Sequence, residues 1–146
     1  MSTSPSAGRR KETFVFTPAH DVPPQVGPFA HATRWGDLLF CTGQMPTDPA
    51  TGELVEGGLL PQAEQVRRNL AAVLAQFGAD WDDVLQVRVY LTNFSDFDAF
   101  NAVYETWFSG PLPARTCVGV TGLAVGAAVE VDVIAGLRPG AAPAEG

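Results

Sequence analysis

Between residues 84 and 91 the chain reads VLQVRVYL, with Leu85, Val87, Val89 and Leu91 alternating against Gln86, Arg88 and Tyr90. A period of two is the pattern of a strand that shows one face to a core. From Pro61 to Phe77 the period changes. Apolar positions fall at Ala63, Val66, Leu70, Val73, Leu74 and Phe77, the spacing of an amphipathic helix, with Pro61 suited to its first turn and Gly78 to its stop. A second helical pattern follows the strand. Ser95 with Asp98 three residues on reads as its N-cap, Phe97, Phe100, Val103, Tyr104, Trp107 and Phe108 form its aromatic stripe, and "SGP" ends it. Such a stripe predicts packing against a sheet.

Upstream, "AHATRWGDLLFCTGQ" (30–44) places Gly36-Asp37 between two runs of strand propensity, which predicts a tight antiparallel pair, and "TDPATGEL" (47–54) predicts a loop. Downstream, strands are expected over Arg115–Val120 and Val129–Ala135; in the latter Val129, Val131 and Val133 share one face and Glu130 and Asp132 the other. The resulting order is β-β-α-β-α-β-β. This is an α/β arrangement, an α+β sandwich in which two helices cover one face of a mixed sheet. The opposite face, carrying Glu130 and Asp132 among apolar residues, is expected to pack against another subunit.

Length and composition narrow the function classes. The 146 residues fit one domain, expected over 13–137, with Ser/Gly/Pro/Ala-rich stretches at 1–12 and 138–146 read as mobile tails. Nine Lys and Arg against 16 Asp and Glu give a formal charge of −7, which disfavours nucleic acid or an anionic membrane as a partner. No run reaches transmembrane length and "GRRK" is not followed by an apolar core segment, so the cytoplasm is the expected compartment. Cys41 and Cys117 lie far apart in apolar runs and are expected to be reduced and buried. His20 and His31 lack partners at metal-ligand spacing, and neither is placed to activate Cys117 as a nucleophile.

An ordered series of blocks carries a resemblance. "GPFAHA" (27–32), "TGQMPTDPATGELV" (42–55), "QAEQVRRNLAAVLAQFGADWDDVLQVRVYL" (62–91), "FNAVYETWF" (100–108), "PARTCVGVTGL" (113–123) and "VEVDVIA" (129–135) resemble, in order, the Rid (reactive intermediate deaminase, YjgF-like) family over about residues 13–137. The resemblance implies a chorismate-mutase-like fold, a homotrimer with clefts between subunits, and hydrolysis of 2-imino or 2-enamino acids to 2-keto acids and ammonia without metal or cofactor. It implies a small carboxylate-bearing substrate held by Arg115, whose planar fork suits bidentate recognition. It further implies Glu130 and Thr42 as catalytic residues, Glu130 positioning water or moving protons, with Phe29, Cys117, Asn101 and Gly43 against the substrate.

Two departures bear on the chemistry. Where the family commonly has "GPYS", this chain has "GPFA", so Phe29 lacks a phenol hydroxyl and Ala30 a small polar group; "SGPLPAR" is also shorter than in many members. The primary expectation is an imine deaminase. The alternatives are a pathway-specific enzyme acting on an unstable biosynthetic intermediate by hydrolysis, dehydration or cyclisation, and a module that binds a small acid without turnover. His31, just beyond "GPFA", is a further candidate for the cleft lining.

Overall fold

A computed structural model describes residues 10–143. Its strands are β1 (Glu12–Phe14), β2 (Ala32–Trp35), β3 (Leu38–Gln44), β4 (Val84–Leu91), β5 (Ala114–Gly119) and β6 (Val129–Gly136); its helices are α1 (Leu59–Ala75) and α2 (Phe97–Tyr104). The strands form one mixed sheet in the order β1-β2-β3-β6-β4-β5, antiparallel except for β4 and β5. The helices lie on one face. α1 packs on β3 and β6 and against α2, and the core joins Val66, Leu70, Val73 and Leu74 of α1 to Leu39, Val87, Val89, Val131 and Val133 of the sheet. The five expected strands and both helices are present. β1 is additional, and at three residues it is too short for a period to reveal; it begins at Glu12, inside the stretch read as a tail.

Several local expectations are corrected by the structure. α1 runs two residues earlier at each end than the apolar period implied; Gly78, at φ 69, follows it with the left-handed backbone that ends many helices. Leu85 is exposed, not inward. The β4–β6 register shifts between Val84 and Gln86, and this irregularity turns Leu85 to the open face while Val87, Val89 and Leu91 stay buried. Ser95 does not cap α2: the Asn93 side chain accepts from Ser95 N and caps a 3-10 turn, Phe94–Asp96, that leads into the helix. Beyond β6, Arg138 donates to Gly78 O at 3.0 Å and Arg34 donates to Ala141 O, tying residues read as tail to the domain.

Buried polar side chains set the loops around the cleft. Asn69, fully buried in α1, donates to Met45 O at 3.1 Å and Thr47 O at 2.9 Å, while Gln62 accepts from Ala128 N at 2.8 Å just before β6. His31 is also structural. Its Nδ1 accepts from Phe16 N at 2.8 Å and its Nε2 donates to Pro23 O at 2.7 Å, so both ring nitrogens are used in pinning two backbone segments and neither is offered to a ligand. No helix among the described residues is long and apolar enough to cross a membrane.

Candidate functional site

Glu130 and Asp132 occupy the open face of β6, where alternation sends Val129, Val131 and Val133 to the core. Opposite them in register stand Tyr90 and Arg88 of β4. Asp132 is engaged within the chain: it accepts from Arg88 Nε at 2.9 Å and from Tyr90 OH at 3.1 Å, with its side chain only 16% exposed. On the other flank the β3–β6 register slips between Cys41 and Gln44, so Thr42 and Gly43 bulge out against one residue of β6. The Glu130 carboxylate fills that bulge. A Cβ at Gly43 would overlap Glu130 Oε2 and come within 2.9 Å of Cδ, so glycine is what admits the carboxylate to the backbone there. Burial, and secondarily the charge of Asp132, raise the Glu130 pKa above the usual carboxylate value.

A cleft opens beside Gly43. Phe29, Val26, Pro23, Met45 and Val125 line it, giving a mostly apolar wall. Phe29 is partly exposed, and its carbonyl is held by Gln25 Nε2 at 3.2 Å. Val125 reaches the cleft from a turn at φ 56, ψ 16, a left-handed backbone that a β-branched residue rarely adopts. Thr42, next to Gly43, donates its backbone N–H to His31 O at 2.9 Å and is half-buried.

Arg115 and Cys117 lie elsewhere. β5 runs parallel to β4 with Arg115 beside Val87 and Cys117 beside Val89, both helix-facing positions, so these two side chains turn toward α2. Phe97, Asn101 and Tyr104 form one stripe of α2 at i, i+4 and i+7. The Arg115 guanidinium carbon sits 4.7 Å from the Tyr104 ring centroid and 5.6 Å from that of Phe97. Asn101 Oδ1 and Tyr104 OH are buried with no hydrogen-bond partner among the described residues. Cys117 is half-buried and not fully buried as expected, because β5 is the sheet's edge; burial raises its thiol pKa and Arg115 opposes the rise. Cys41 is buried, and its thiol is pushed up to about 12.

The seven residues singled out in the sequence therefore form two groups. Gly43 and Glu130 are in contact, with Phe29 on the adjoining cleft wall and Thr42 in the bulge; Arg115, Cys117 and Asn101 gather under α2 on the opposite side of the sheet. Within one chain the sheet separates the cationic and carboxylate halves. Sequence reading missed Tyr90, Asp132 and the paired role of Phe97 and Tyr104. The helical spacing of the last two was visible, but their meeting with Arg115 depends on where β5 is laid down. No group of His, Cys, Asp and Glu among the described residues is arranged to hold a metal ion.

Comparison with known proteins places this geometry. The family model described as endoribonuclease L-PSP matches residues 20–137. A RutC family protein of Sinorhizobium fredii is 43% identical over 118 residues, spanning 81% of this chain and 94% of the relative. A 2-iminobutanoate/2-iminopropanoate deaminase of Mus musculus is 36% identical over 113 residues, 77% of this chain and 84% of its own. Among solved structures, RidA from an Antarctic Psychrobacter superposes with a TM-score of 0.81 at 36% identity, covering 86% of this chain and all of that one. Escherichia coli TdcF with bound serine gives 0.79 at 28% identity over 87% and 99%.

Proposed function

The chain belongs to the Rid (YjgF-like) family, and from that premise we propose that it assembles as a homotrimer whose intersubunit clefts hydrolyse small 2-imino acids to 2-keto acids and ammonia. The observation that carries this reading is the division of the polar groups. Arg115 has no carboxylate partner among the described residues and lies across the sheet from Glu130, so a small acid meets both only where two chains adjoin. The open face supports the same assembly. Trp35, Leu38, Phe40, Leu85 and Val118 are exposed on it, an apolar surface of the kind that oligomers bury. The relatives named 2-iminobutanoate/2-iminopropanoate deaminase lend the substrate class.

In this mechanism Arg115 of one chain grips the substrate carboxylate through two parallel N–H donors. Water adds to the C2 carbon of the C=N bond while Glu130, seated on Gly43, takes one of its protons and passes it to nitrogen, giving a carbinolamine. Glu130 then carries the hydroxyl proton to the amine nitrogen as the C–N bond breaks, the C=O bond forms and ammonia leaves a keto acid. A carboxyl whose pKa is raised by burial is better matched to this shuttling near neutral pH than an ordinary one. Phe29 and Val125 enclose the apolar part of the substrate. The test is release of pyruvate from 2-iminopropanoate generated in situ, faster with the protein than without. No acceleration overturns the reading.

Phe29 favours a second reading, a pathway-specific Rid-like enzyme acting on a different unstable intermediate. Its ring provides a wall without a hydroxyl donor, which suits a substrate presenting an apolar portion there.

A further inference from the structure

We propose that Tyr104 and Phe97 are positioning residues that hold the Arg115 guanidinium in place for carboxylate binding, an inference that rests on the role given to Arg115 above. Arg115 is half-buried at a sheet edge, and among the described residues it makes no ion pair or hydrogen bond that would orient it. What does face it is aromatic. The Tyr104 ring lies 4.7 Å from the guanidinium carbon and the Phe97 ring 5.6 Å, both within the range of cation–π attraction. Neither ring is loose: Tyr104 packs against Phe100, Trp107 and Phe108 at centroid distances of 5.7, 5.3 and 5.1 Å, and Phe97 stacks on Phe94 at 5.0 Å. Phe94 in turn rests over Gly119 at the end of β5, where a Cβ would touch its ring at 3.4 Å. Burial pushes the Tyr104 phenol up to about 12, so the residue stays neutral and meets the cation with its π face instead of a phenolate charge. A ring seat of this kind restrains the guanidinium while leaving its in-plane N–H donors for a ligand. A carboxylate partner would instead consume them.

The experiment is calorimetric titration of the intact protein with pyruvate, read together with the KM and kcat for 2-iminopropanoate. Tyr104→Leu is expected to weaken pyruvate binding and raise KM about tenfold with kcat little changed, a size set by a partly desolvated cation–π contact. Tyr104→Phe, which keeps the ring, should restore both to within about twofold of the parent. In an Arg115→Ala background, Tyr104→Leu should add nothing, the coupling expected if it acts through the guanidinium. Because Tyr104 is buried, Phe97→Leu provides the same test at a half-buried position, with a loss of about threefold expected. Unchanged binding in both ring deletions alongside lost binding in Arg115→Ala would overturn this inference and leave the proposed function standing. An equal loss from Tyr104→Leu with and without Arg115 would overturn it too. Unchanged binding in Arg115→Ala would overturn both.

Discussion

Gly43→Ala tests the carboxylate half of the site with one methyl group. The added Cβ would overlap Glu130 Oε2 and lie 2.9 Å from Cδ and 3.2 Å from Cγ, where relaxed carbon contacts sit near 3.5–4.0 Å. The carboxylate must therefore retreat by about 1 Å. It is the end of a flexible side chain, so the retreat costs an off-rotamer χ of about 0.5–1.5 kcal/mol and not a displaced backbone. For a domain of this size that lowers Tm by roughly 2–6 °C. Catalysis should suffer far more, because a misplacement of about 1 Å in a reacting group can cost on the order of 100-fold. Pyruvate release from 2-iminopropanoate gives kcat/KM, a thermal melt gives Tm, and Glu130→Gln marks the activity left without the carboxylate. The expected variant is folded and about 100-fold slower, close to Glu130→Gln. A folded Gly43→Ala protein with undiminished kcat/KM would refute the seating of Glu130 on the bulge as a requirement for the reaction.

Three further outcomes follow from the same geometry. Arg115→Lys keeps the charge but loses the bidentate fork, so pyruvate affinity in calorimetry should fall by about 1.5–3 kcal/mol; equal affinity would remove Arg115 from the site. Phe29→Tyr should raise the rate on 2-iminopropanoate by up to about tenfold, the worth of one hydrogen bond, and Glu130→Gln should abolish that gain; no gain, or a loss, points to the pathway-specific reading. Because burial raises the Glu130 pKa in the folded chain, the folded state binds that proton more tightly than the unfolded state, and stability falls as pH rises above the ordinary value of 4.5 and through the raised one. Glu130→Gln should therefore match the parent Tm at pH 4 and exceed it at pH 7, and equal melting at both would contradict the burial of that carboxylate.

The elements were legible because each is a local periodic signal. Alternation in β6 assigned Val129, Val131 and Val133 to the core and Glu130 and Asp132 away from it, and the spacing from Ala63 to Phe77 defined the apolar face of α1; both assignments require only neighbours along the chain. The family resemblance likewise named Arg115 and Glu130 from short blocks. Where backbone hydrogen bonding overrode the local period, the reading failed. Leu85 left the core because of a register shift with β6, and Asn93 took the cap from Ser95 because a 3-10 turn precedes α2.

What no stretch of sequence contains is the relative phase of separate strands. Alternation tells which residues share a face within β5 or within β6, but whether Arg115 and Glu130 share one depends on β5 lying parallel to β4 with Arg115 beside Val87, and on β6 lying antiparallel to β4 with Glu130 beside Tyr90. Those pairings are long-range, and a one-residue slip in either would exchange the faces. The tertiary structure alone thus decided that the two groups stand on opposite sides of one sheet, that a two-residue bulge at Thr42 and Gly43 seats the carboxylate, and that Tyr104 and Phe97 receive the guanidinium. Side-chain chemistry is written residue by residue, whereas its juxtaposition is set by hydrogen-bonded register between strands far apart in the chain.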